Sequence, residues 1–228
     1  MGLGSYWHEI IGVLRSIIPV YDQVNRAISL GKDAEYRAHG IRNRISSGNL
    51  VLDAGSGYGN MSKEAMSQCS NLQITMLDPI PEMLERAKEE FKGKNHLVSA
   101  VFEYLPFRDG SFDAVMCGYS FRDAISMRTA IAEFHRVLMN NGRLIIVDIG
   151  RPDNALNRAG VSFYIKYIMA LLAFFVAGNT GLKFRAIYGT YKRLPKNSEL
   201  KEMLREKFGK VEFETRMMGG AIIVAAYK

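Results

Sequence analysis

Residues 49–59 read Asn-Leu-Val-Leu-Asp-Ala-Gly-Ser-Gly-Tyr-Gly, an apolar run that ends in an acid and continues into three alternate glycines. A short continuous apolar segment is typical of a buried strand in a parallel sheet. Glycines directly after such a strand let the backbone turn tightly and approach a ligand without interference from a Cβ atom. A helix is expected to begin near Gly59 or Asn60. The stretch therefore predicts a ligand-binding loop at the carboxyl end of a strand, where open α/β sheets bind their ligands.

The glycine spacing narrows the class of ligand. The pattern Asp-x-Gly-x-Gly-x-Gly, which begins at Asp53, differs from the Gly-x-Gly-x-x-Gly fingerprint of dinucleotide-binding folds. It also lacks the Gly-Lys-Ser/Thr ending of a phosphate-binding loop, and this absence argues against a nucleoside triphosphate. Taken alone, the loop also fits an ordinary strand-to-helix turn.

The next expected strand, 72–77, ends in Asp78, about 20 residues beyond the glycines. A carboxylate at this place can accept hydrogen bonds from both hydroxyls of a ribose. Asp78 also fits the start of a helix, because Pro79, Pro81 and Glu82 follow it. The two interpretations are compatible.

Apolar runs and amphipathic segments alternate along the chain, as in the βαβ units of a parallel sheet. Expected strands cover 72–77, 97–102, 114–118 and 143–149, expected helices cover 62–68, 82–91, 129–138 and 198–208, and a turn is expected at 140–142. The last two strands, 211–217 and 221–227, are so close in sequence that they should pair antiparallel. The pattern predicts an α/β fold with a seven-stranded, mostly parallel sheet and an antiparallel last strand.

Composition bounds the class of protein. The 228 residues suffice for one domain with a substantial core. The two cysteines, Cys69 and Cys117, have neither redox nor metal-ligand spacing, and the four histidines are scattered. We therefore expect reduced thiols and no bound metal. With no leader and cleavage site in view, we expect a cytoplasmic protein that is not secreted.

The net charge of +7 favours an anionic partner, either a nucleic acid or a membrane surface. The sequence has no zinc finger, aromatic RNA-binding strand or base-reading basic helix, so we expect no nucleic-acid binding.

Residues 161–177 form the most apolar stretch, but with Lys166 inside it they fall short of the roughly 20 apolar residues that a membrane-spanning helix needs. A basic cluster follows, at Lys183, Arg185, Lys192, Arg193 and Lys196. Two alternatives stay open: a peripheral enzyme on the inner face of the cell membrane, and a soluble enzyme with an apolar lid.

Several segments resemble the class I S-adenosylmethionine-dependent methyltransferases, whose motifs include the Asp-x-Gly-x-Gly-x-Gly loop and the acid that closes the second strand. Residues 21–31, with Tyr-Asp-x-x-Asn followed by Ser-Leu-Gly, resemble the amino-terminal signature of the UbiE/MenG-type C-methyltransferases of ubiquinone and menaquinone biosynthesis. Residues 103–113 and 133–144 are also close to motifs of this branch. The resemblance implies a Rossmann-like class I methyltransferase fold in one domain, 1–228, with an N-terminal helical cap, 1–45, and an apolar lid insertion, 153–190.

The resemblance implies S-adenosylmethionine as cofactor, S-adenosylhomocysteine as its product, and a lipophilic small molecule as acceptor. The implied reaction moves a methyl group onto a ring carbon of a polyprenylated quinol, such as demethylmenaquinol. A methyltransferase acting on another lipid or small molecule, and a non-catalytic S-adenosylmethionine-binding protein, remain alternatives. A quinol acceptor predicts that the helix at 161–177 lines the acceptor pocket, whereas a polar acceptor predicts charged groups there. A homodimer is an expectation from the family alone.

Motif positions carried over from the family give the expected cofactor contacts: Asp53, Gly55, Ser56, Gly57, Gly59, Asp78, Pro79, Met83, Phe102, Glu103 and Tyr119. The chain departs from the family at Val101, where a polar residue can hydrogen-bond adenine. We expect this departure to weaken or displace the adenine contact, by about 1 kcal/mol for one hydrogen bond.

The expected catalytic residues also follow from the resemblance. The branch has Phe-Gly-x-Arg-Asn after the fourth strand, and here Arg122 is retained while Ser120 and Asp123 depart from the pattern. Arg122 would orient a water or stabilise a phenolate, with Tyr21 and Asp148 as its neighbours. Asp123 would either act as the base or neutralise Arg122. Physical reasoning alone also allows a surface ion pair between Arg122 and Asp123 or Asp148.

Overall fold

The computed structural model describes Gly12 and residues 15–228. Its seven strands form one sheet in the order β3-β2-β1-β4-β5-β7-β6. The strands are β1 Leu50–Ala54, β2 Gln73–Leu77, β3 His96–Val98, β4 Phe112–Gly118, β5 Leu138–Ile149, β6 Lys210–Arg216 and β7 Ala221–Tyr227. The first five pair in parallel, and β7 is antiparallel to both β5 and β6. The predicted Rossmann-like sheet with an antiparallel last strand is confirmed.

Helices cover both faces of the sheet, as the nearly continuous burial of β1, β4 and β7 requires. The helices are α1 Tyr21–Ile28, α2 Asp33–Ile41, α3 Asn60–Gln68, α4 Pro81–Glu90, α5 Met127–Val137, α6 Ala155–Phe163, α7 Met169–Gly181, α8 Ala186–Arg193 and α9 Asn197–Arg205. Helices α5 and α9 pack on one face with Leu52 and Val115. Helices α2, α3 and α4 pack on the other face with Val51 and Met116. The edge formed by the carboxyl ends of the parallel strands lies between these two packed layers.

Several predicted boundaries differ from the structure, and three of them bear on the packing. The third strand ends at Val98, and Phe102 instead turns its ring into the core beside Phe134. The turn expected at 140–142 lies inside β5, where the register against β4 shifts and Asn141 has φ 64°. Helix α5 begins two residues early because the Ser126 hydroxyl caps it by accepting the Thr129 N–H.

The cap and the lid share a core of their own. The apolar face of α1 packs against α6, α7 and the segments that follow them, and the Tyr164 hydroxyl donates to the Ile28 carbonyl at 3.0 Å. The buried members of this core are Ile17, Val24, Ile28, Val161, Ile165, Met169, Ala173, Phe184, Tyr191 and Leu194. Of the N-terminal cap predicted for 1–45, residues 1–11, 13 and 14 lie outside the described part of the chain.

The stretch Ala155–Arg193 is long and apolar enough, by length and composition, to cross a membrane, and 22% of its most apolar window is buried. It is not one straight helix, because Gly178 has φ 57° and ψ −138°. A Cβ atom on Gly181 would overlap the carbonyl of Ala173, so the chain folds back at this point. We call residues 155–193 the lid hairpin. Its helical part extends beyond the apolar stretch 161–177 at both ends.

Candidate functional site

The glycine loop after β1 turns tightly, as its glycines predict. Gly55, Gly57 and Gly59 all have positive φ, a conformation that other residues rarely adopt. A Cβ on Gly55 would overlap the Ser120 side chain, whereas a Cβ on Gly57 would meet nothing within 4 Å. Gly55 therefore allows β1 and β4 to approach each other, and Gly57 leaves open space above the loop for a ligand.

Asp78 closes this loop from the end of β2. Its Oδ2 accepts the Gly57 N–H and its Oδ1 accepts the Ile80 N–H, each at 2.9 Å. The Ile80 bond lies directly before α4, which begins at Pro81, and the carboxylate also lines a cavity, so the ribose contact stays a prediction. Burial raises the pKa of Asp78 to about 6, against the opposing effect of the two backbone N–H groups. Each carboxylate oxygen retains a lone pair for a further donor.

Asp53 lies beneath the loop and is fully buried. Its Oδ2 accepts the Ser62 N–H at 3.1 Å and the Ser62 hydroxyl at 2.6 Å, while its Oδ1 has no hydrogen-bond partner within the described residues. Burial raises the pKa of Asp53 to about 7, and the two Ser62 bonds lower it. A buried acceptor without a partner is costly. A ligand with a donor, such as an ammonium group, would satisfy Asp53 Oδ1.

A cavity opens above these residues, with about 790 Å³ of empty space when the open solvent at its mouth is included. We call it the loop cavity. All but two of the eleven cofactor residues predicted from the sequence line it. The exceptions are Gly59, which packs against Phe91, and Glu103, which accepts the Ser126 N–H at 3.0 Å. Val101 lines the loop cavity, so the place of the family's polar residue is apolar here.

Arg122 lies in a single 3-10 turn, Phe121–Asp123, directly after β4. Its Nη1 donates to Asp148 Oδ1 at 2.8 Å and to the Tyr119 carbonyl, and its backbone N–H donates to Asp148 Oδ2 at 3.1 Å. The side chains of Arg122 and Asp148 are 8% and 2% exposed. The interpretation of a surface ion pair is therefore wrong. Arg122 and Asp148 do form an ion pair, but it is buried, and two hydrogen bonds join the two residues.

Asp123 is placed differently from Asp148. Its Oδ1 is 3.9 Å from Arg122 Nε, and its side chain lines the loop cavity. Burial raises the pKa of Asp123 to about 6, although the Arg122 charge opposes the shift. Burial lowers the pKa of Arg122, but Asp123 and Asp148 more than compensate, so the guanidinium stays protonated. Asp148 is thus the close partner of Arg122, and Asp123 is free to face a ligand.

Tyr21 joins the loop to the lid. Its ring contacts Tyr58 of the glycine loop edge-on at 6.0 Å and Phe184 of the lid hairpin at 6.3 Å between centroids. Burial raises the pKa of the Tyr21 phenol, and the nearby Arg122 and Arg37 charges oppose the shift. The neutral hydroxyl lines the loop cavity, where it can donate a hydrogen bond.

A second, larger cavity, which we call the lid cavity, adjoins the first. Its empty space is about 1320 Å³ with the open mouth included. Val161, Ile165 and Met169 of the lid hairpin form its apolar wall, and Arg122 lies at its polar end. Tyr119 and Arg37 line both cavities, so the two spaces meet at these residues. The helix at 161–177 therefore lines the pocket with apolar groups, as a quinol acceptor predicts.

Arg37 is a site residue that the sequence reasoning missed. Its Nη1 donates to Asp33 Oδ2 at 2.8 Å, and the Ser29 hydroxyl donates to Asp33 Oδ1 at 3.1 Å. The spacing of four residues between Asp33 and Arg37, both on α2, was a local signal of one helical face. The place of Arg37 in the site depends on the packing of α2 above Tyr119, and the sequence around Arg37 does not reveal that packing.

Metal-ligating side chains do not gather in the described residues: no group of three or more His, Cys, Asp or Glu side chains could hold an ion there. Cys69 and Cys117 are both free. Cys117 is buried beside Ser120, and burial raises the pKa of its thiol well above the ordinary value. The Cys117 thiol is therefore not activated as a nucleophile.

Known proteins resemble this chain in sequence and in fold. It is 31% identical over 196 residues to the demethylmenaquinone methyltransferase of Deinococcus radiodurans, covering 83% of this chain and 80% of the relative. It is 32% identical over 174 residues to the ubiquinone/menaquinone biosynthesis C-methyltransferase UbiE of Citrifermentans bemidjiense, covering 73% and 74%. A solved S-adenosylmethionine-dependent methyltransferase of Thermotoga maritima, 16% identical, superposes with a TM-score of 0.63 over 95% of this chain and 99% of its own.

The fold is thus shared with a methyltransferase of known structure, and the sequence likeness to the two relatives extends over most of the chain. The model of the ubiE/COQ5 methyltransferase family matches residues 5–228. The chain is an S-adenosylmethionine-dependent methyltransferase, and it belongs to the ubiE/COQ5 methyltransferase family.

Proposed function

We propose that this methyltransferase transfers a methyl group to a ring carbon of a polyprenylated quinol of the demethylmenaquinol or ubiquinone-precursor type. The observation that carries the proposal is the apolar lid cavity, which meets the loop cavity at Arg37 and Tyr119. An acceptor with a long apolar tail fits a cavity walled by Val161, Ile165 and Met169. The names of the relatives from Deinococcus radiodurans and Citrifermentans bemidjiense support a quinone-biosynthesis role.

The loop cavity fits S-adenosylmethionine. When bound, this cofactor supplies a methyl group made electrophilic by its sulfonium. Asp78 would hold the ribose hydroxyls, because its carboxylate lines the cavity at the end of β2. Asp53 Oδ1 lacks a protein partner among the described residues and would accept a hydrogen bond from the ammonium of the methionine part. The open space above Gly57 belongs to the cavity that both carboxylates line, and it would leave room for the ligand.

Asp123 and Arg122 would have different roles in activating the acceptor. A ring carbon is a weak nucleophile, so a quinol hydroxyl must lose its proton to push charge onto that carbon. Asp123, with a pKa of about 6 and a place in the wall of the loop cavity, is suited to accept this proton near neutral pH. Arg122 lines the adjoining lid cavity and stays protonated, so it can stabilise the resulting phenolate.

The lid hairpin would bring the enzyme to its substrate at a membrane surface. Large apolar side chains are exposed along it, namely Phe163, Tyr167, Leu171, Phe174, Phe175 and Val176. The basic residues Lys183 and Arg185, which follow the fold-back at Gly178, are also exposed. Aromatic and aliphatic groups beside cations are the composition of segments that lie on anionic lipid. We propose that the protein is cytoplasmic and binds the inner face of the cell membrane through this surface.

Calorimetric titration with S-adenosylmethionine, followed by mass spectrometry of a reduced demethylmenaquinone analogue, tests the proposed function. We expect binding that is lost in Asp78→Ala, and a product heavier by the replacement of one hydrogen with methyl. Product should be absent with Arg122→Ala and strongly reduced with Asp123→Asn, the latter change preserving side-chain size. Binding without product would favour another lipid acceptor or a non-catalytic role, and absence of binding would contradict the proposal altogether.

Co-sedimentation with vesicles tests the membrane contact. We expect the protein to pellet with vesicles that contain anionic lipid and to stay in solution with zwitterionic vesicles at moderate salt. Equal recovery in the supernatant with both vesicle types would contradict the membrane proposal and leave the apolar hairpin as a lid only.

A further inference from the structure

Arg37 is the only cation among the described residues that line the loop cavity. It comes from α2 of the N-terminal cap and is buried, with its side chain 8% exposed. The other charged residues in that wall are the carboxylates Asp53, Asp78 and Asp123. A buried charge is costly unless its donors find partners, so the contacts of the Arg37 guanidinium decide which of its donors are left for a ligand.

The guanidinium is held in a fixed position. Asp33 accepts one hydrogen bond from Nη1 at 2.8 Å, and the Tyr119 ring lies 4.8 Å from the guanidinium carbon. The bond to Asp33 is the only side-chain hydrogen bond that Arg37 makes within the described residues. A guanidinium carries five N–H donors. The remaining donors are therefore available to a ligand, on a group that cannot swing away.

The position of Arg37 relative to Asp78 is set by the strand order. Asp78 follows β2, whereas Tyr119, on which Arg37 stacks, follows β4, and β1 lies between these strands. Two strand spacings separate the two ends of the cavity by about 10 Å. A ligand whose ribose is held by Asp78 and which extends across the glycine loop would bring its opposite end to Arg37.

We infer that Arg37 binds the carboxylate of the methionine part of S-adenosylmethionine, and that Asp33 and Tyr119 position it for this contact. The inference rests on the cofactor named in the proposed function. The carboxylate is the only anionic group of that cofactor, and Arg37 is the only cation in the described wall of its cavity. Asp53 Oδ1 offers the complementary contact to the adjacent ammonium. A guanidinium and a carboxylate bind through charge-assisted, often bidentate, hydrogen bonds.

The experiment compares two ligands that differ only in this carboxylate, S-adenosylmethionine and its decarboxylated analogue, by calorimetric titration. We expect the wild-type protein to bind S-adenosylmethionine more tightly than the analogue by about tenfold or more, as for one hydrogen bond to a charged group. Arg37→Gln should bind the two ligands with nearly equal affinity. Arg37→Lys should retain part of the preference, because it keeps the charge but loses the fork geometry.

Asp78→Ala is the matched control, since Asp78 lines the far end of the same cavity. It should weaken the binding of both ligands by a similar factor and keep the preference for the carboxylate. Circular dichroism of each variant checks that the fold is retained.

Three results would overturn the inference. Arg37→Gln could weaken both ligands equally, which would assign Arg37 a structural role. It could leave both affinities unchanged while raising the KM for the quinol, which would assign it to the acceptor in the lid cavity. A wild-type protein that binds neither ligand would overturn the cofactor assignment itself, and with it the contact at Arg37.

Discussion

The carboxyl edge of the sheet buries polar side chains, whereas the lid hairpin exposes apolar ones. At the sheet edge, Asp53, Asp78 and Asp148 are charged or ionisable and yet buried, each within a set of directed hydrogen bonds. In the lid hairpin, Phe175 is 76% exposed and Phe163 57% exposed, although nothing in their chemistry favours water. Polar groups inside and apolar groups outside both depart from the rule for soluble proteins.

The difference indicates what each region is built to contact. Buried carboxylates with a raised pKa and an open acceptor site, such as Asp53 and Asp78, favour a small polar ligand with its own donors and charges. Exposed aromatic side chains beside basic residues favour a lipid surface or an apolar acceptor. From this contrast we expect substitutions at the sheet edge to alter stability and chemistry, and substitutions on the hairpin to alter only where the protein binds.

The largest expected effect is at Asp148. Replacing Asp148 with Ala leaves the buried Arg122 guanidinium without its close carboxylate partner, so we expect the free energy of unfolding to fall by about 3–5 kcal/mol. Urea denaturation measures this change. Asp109→Ala is the matched control, because Asp109 pairs with Arg136 at the same 2.8 Å but is 82% exposed, and it should cost less than about 1 kcal/mol. Similar losses of unfolding free energy in the two variants would contradict the expectation that the buried pair contributes more to stability than the exposed one.

Asp123→Asn should mainly affect turnover. The amide fills the same space but cannot accept the quinol proton, so we expect kcat to fall by about 100-fold or more, with little change in S-adenosylmethionine affinity. The wild-type rate should rise with pH through an apparent pKa near 6, the value to which burial raises Asp123. Single-turnover rates between pH 5 and 8 measure both effects. An unchanged pH profile in the variant would assign the proton transfer to another group.

Asp53 should give the ligand-free protein a pH-dependent stability. Burial raises its pKa to about 7, above the unfolded value of about 3.9, so the folded state binds the proton more tightly. This contribution is fully present below the unfolded pKa and is lost as the pH rises through the folded pKa. We expect the free energy of unfolding to fall by about 2 kcal/mol between pH 5 and 8 from this group. Asp53→Asn should flatten that dependence in urea titrations, and an unaltered slope would exclude Asp53 as its source.

The smallest effect on the fold should come from the hairpin. Phe174→Ser combined with Phe175→Ser removes two exposed rings, so we expect vesicle binding to fall by about tenfold while the unfolding midpoint hardly changes. Met66→Ser, an exposed apolar residue on α3 outside the hairpin, is the control and should leave vesicle binding unchanged. A loss of stability instead of membrane affinity would mean that the hairpin is a conventional lid and would remove the contrast between the two regions.

Local sequence was sufficient wherever a motif and its neighbours in the fold are close along the chain. The glycine loop after β1, the acid after β2 and the reversal between β6 and β7 follow from short patterns of burial and turn residues. These patterns determine the sheet, and the sheet edge then gathers Asp53, Asp78 and Tyr119 into one cavity. The homodimer and the membrane contact stay predictions.

Other features depend on packing between distant segments. Arg37 reaches the loop cavity because α2 lies over Tyr119. Glu103 faces Ser126 rather than the cavity because the chain after β3 leaves the sheet early. The fold-back at Gly178 could not be read from the apolar stretch, since a single glycine in a helix is often tolerated. In each case the local residue types were visible, but their partners were not.

The shared core of cap and lid has a consequence for how the chain is made. The bond from Tyr164 to the carbonyl of Ile28 joins residues 136 positions apart, and the apolar face of α1 has its main partners in the hairpin. During synthesis from the N-terminus, Val24 and Ile28 must therefore wait for more than half of the polypeptide before they can be covered. Contacts of such long range form late and leave apolar surface exposed on the nascent chain. The cap, which contributes Tyr21 and Arg37 to the lining of the loop cavity, is thus translated first and completed among the last.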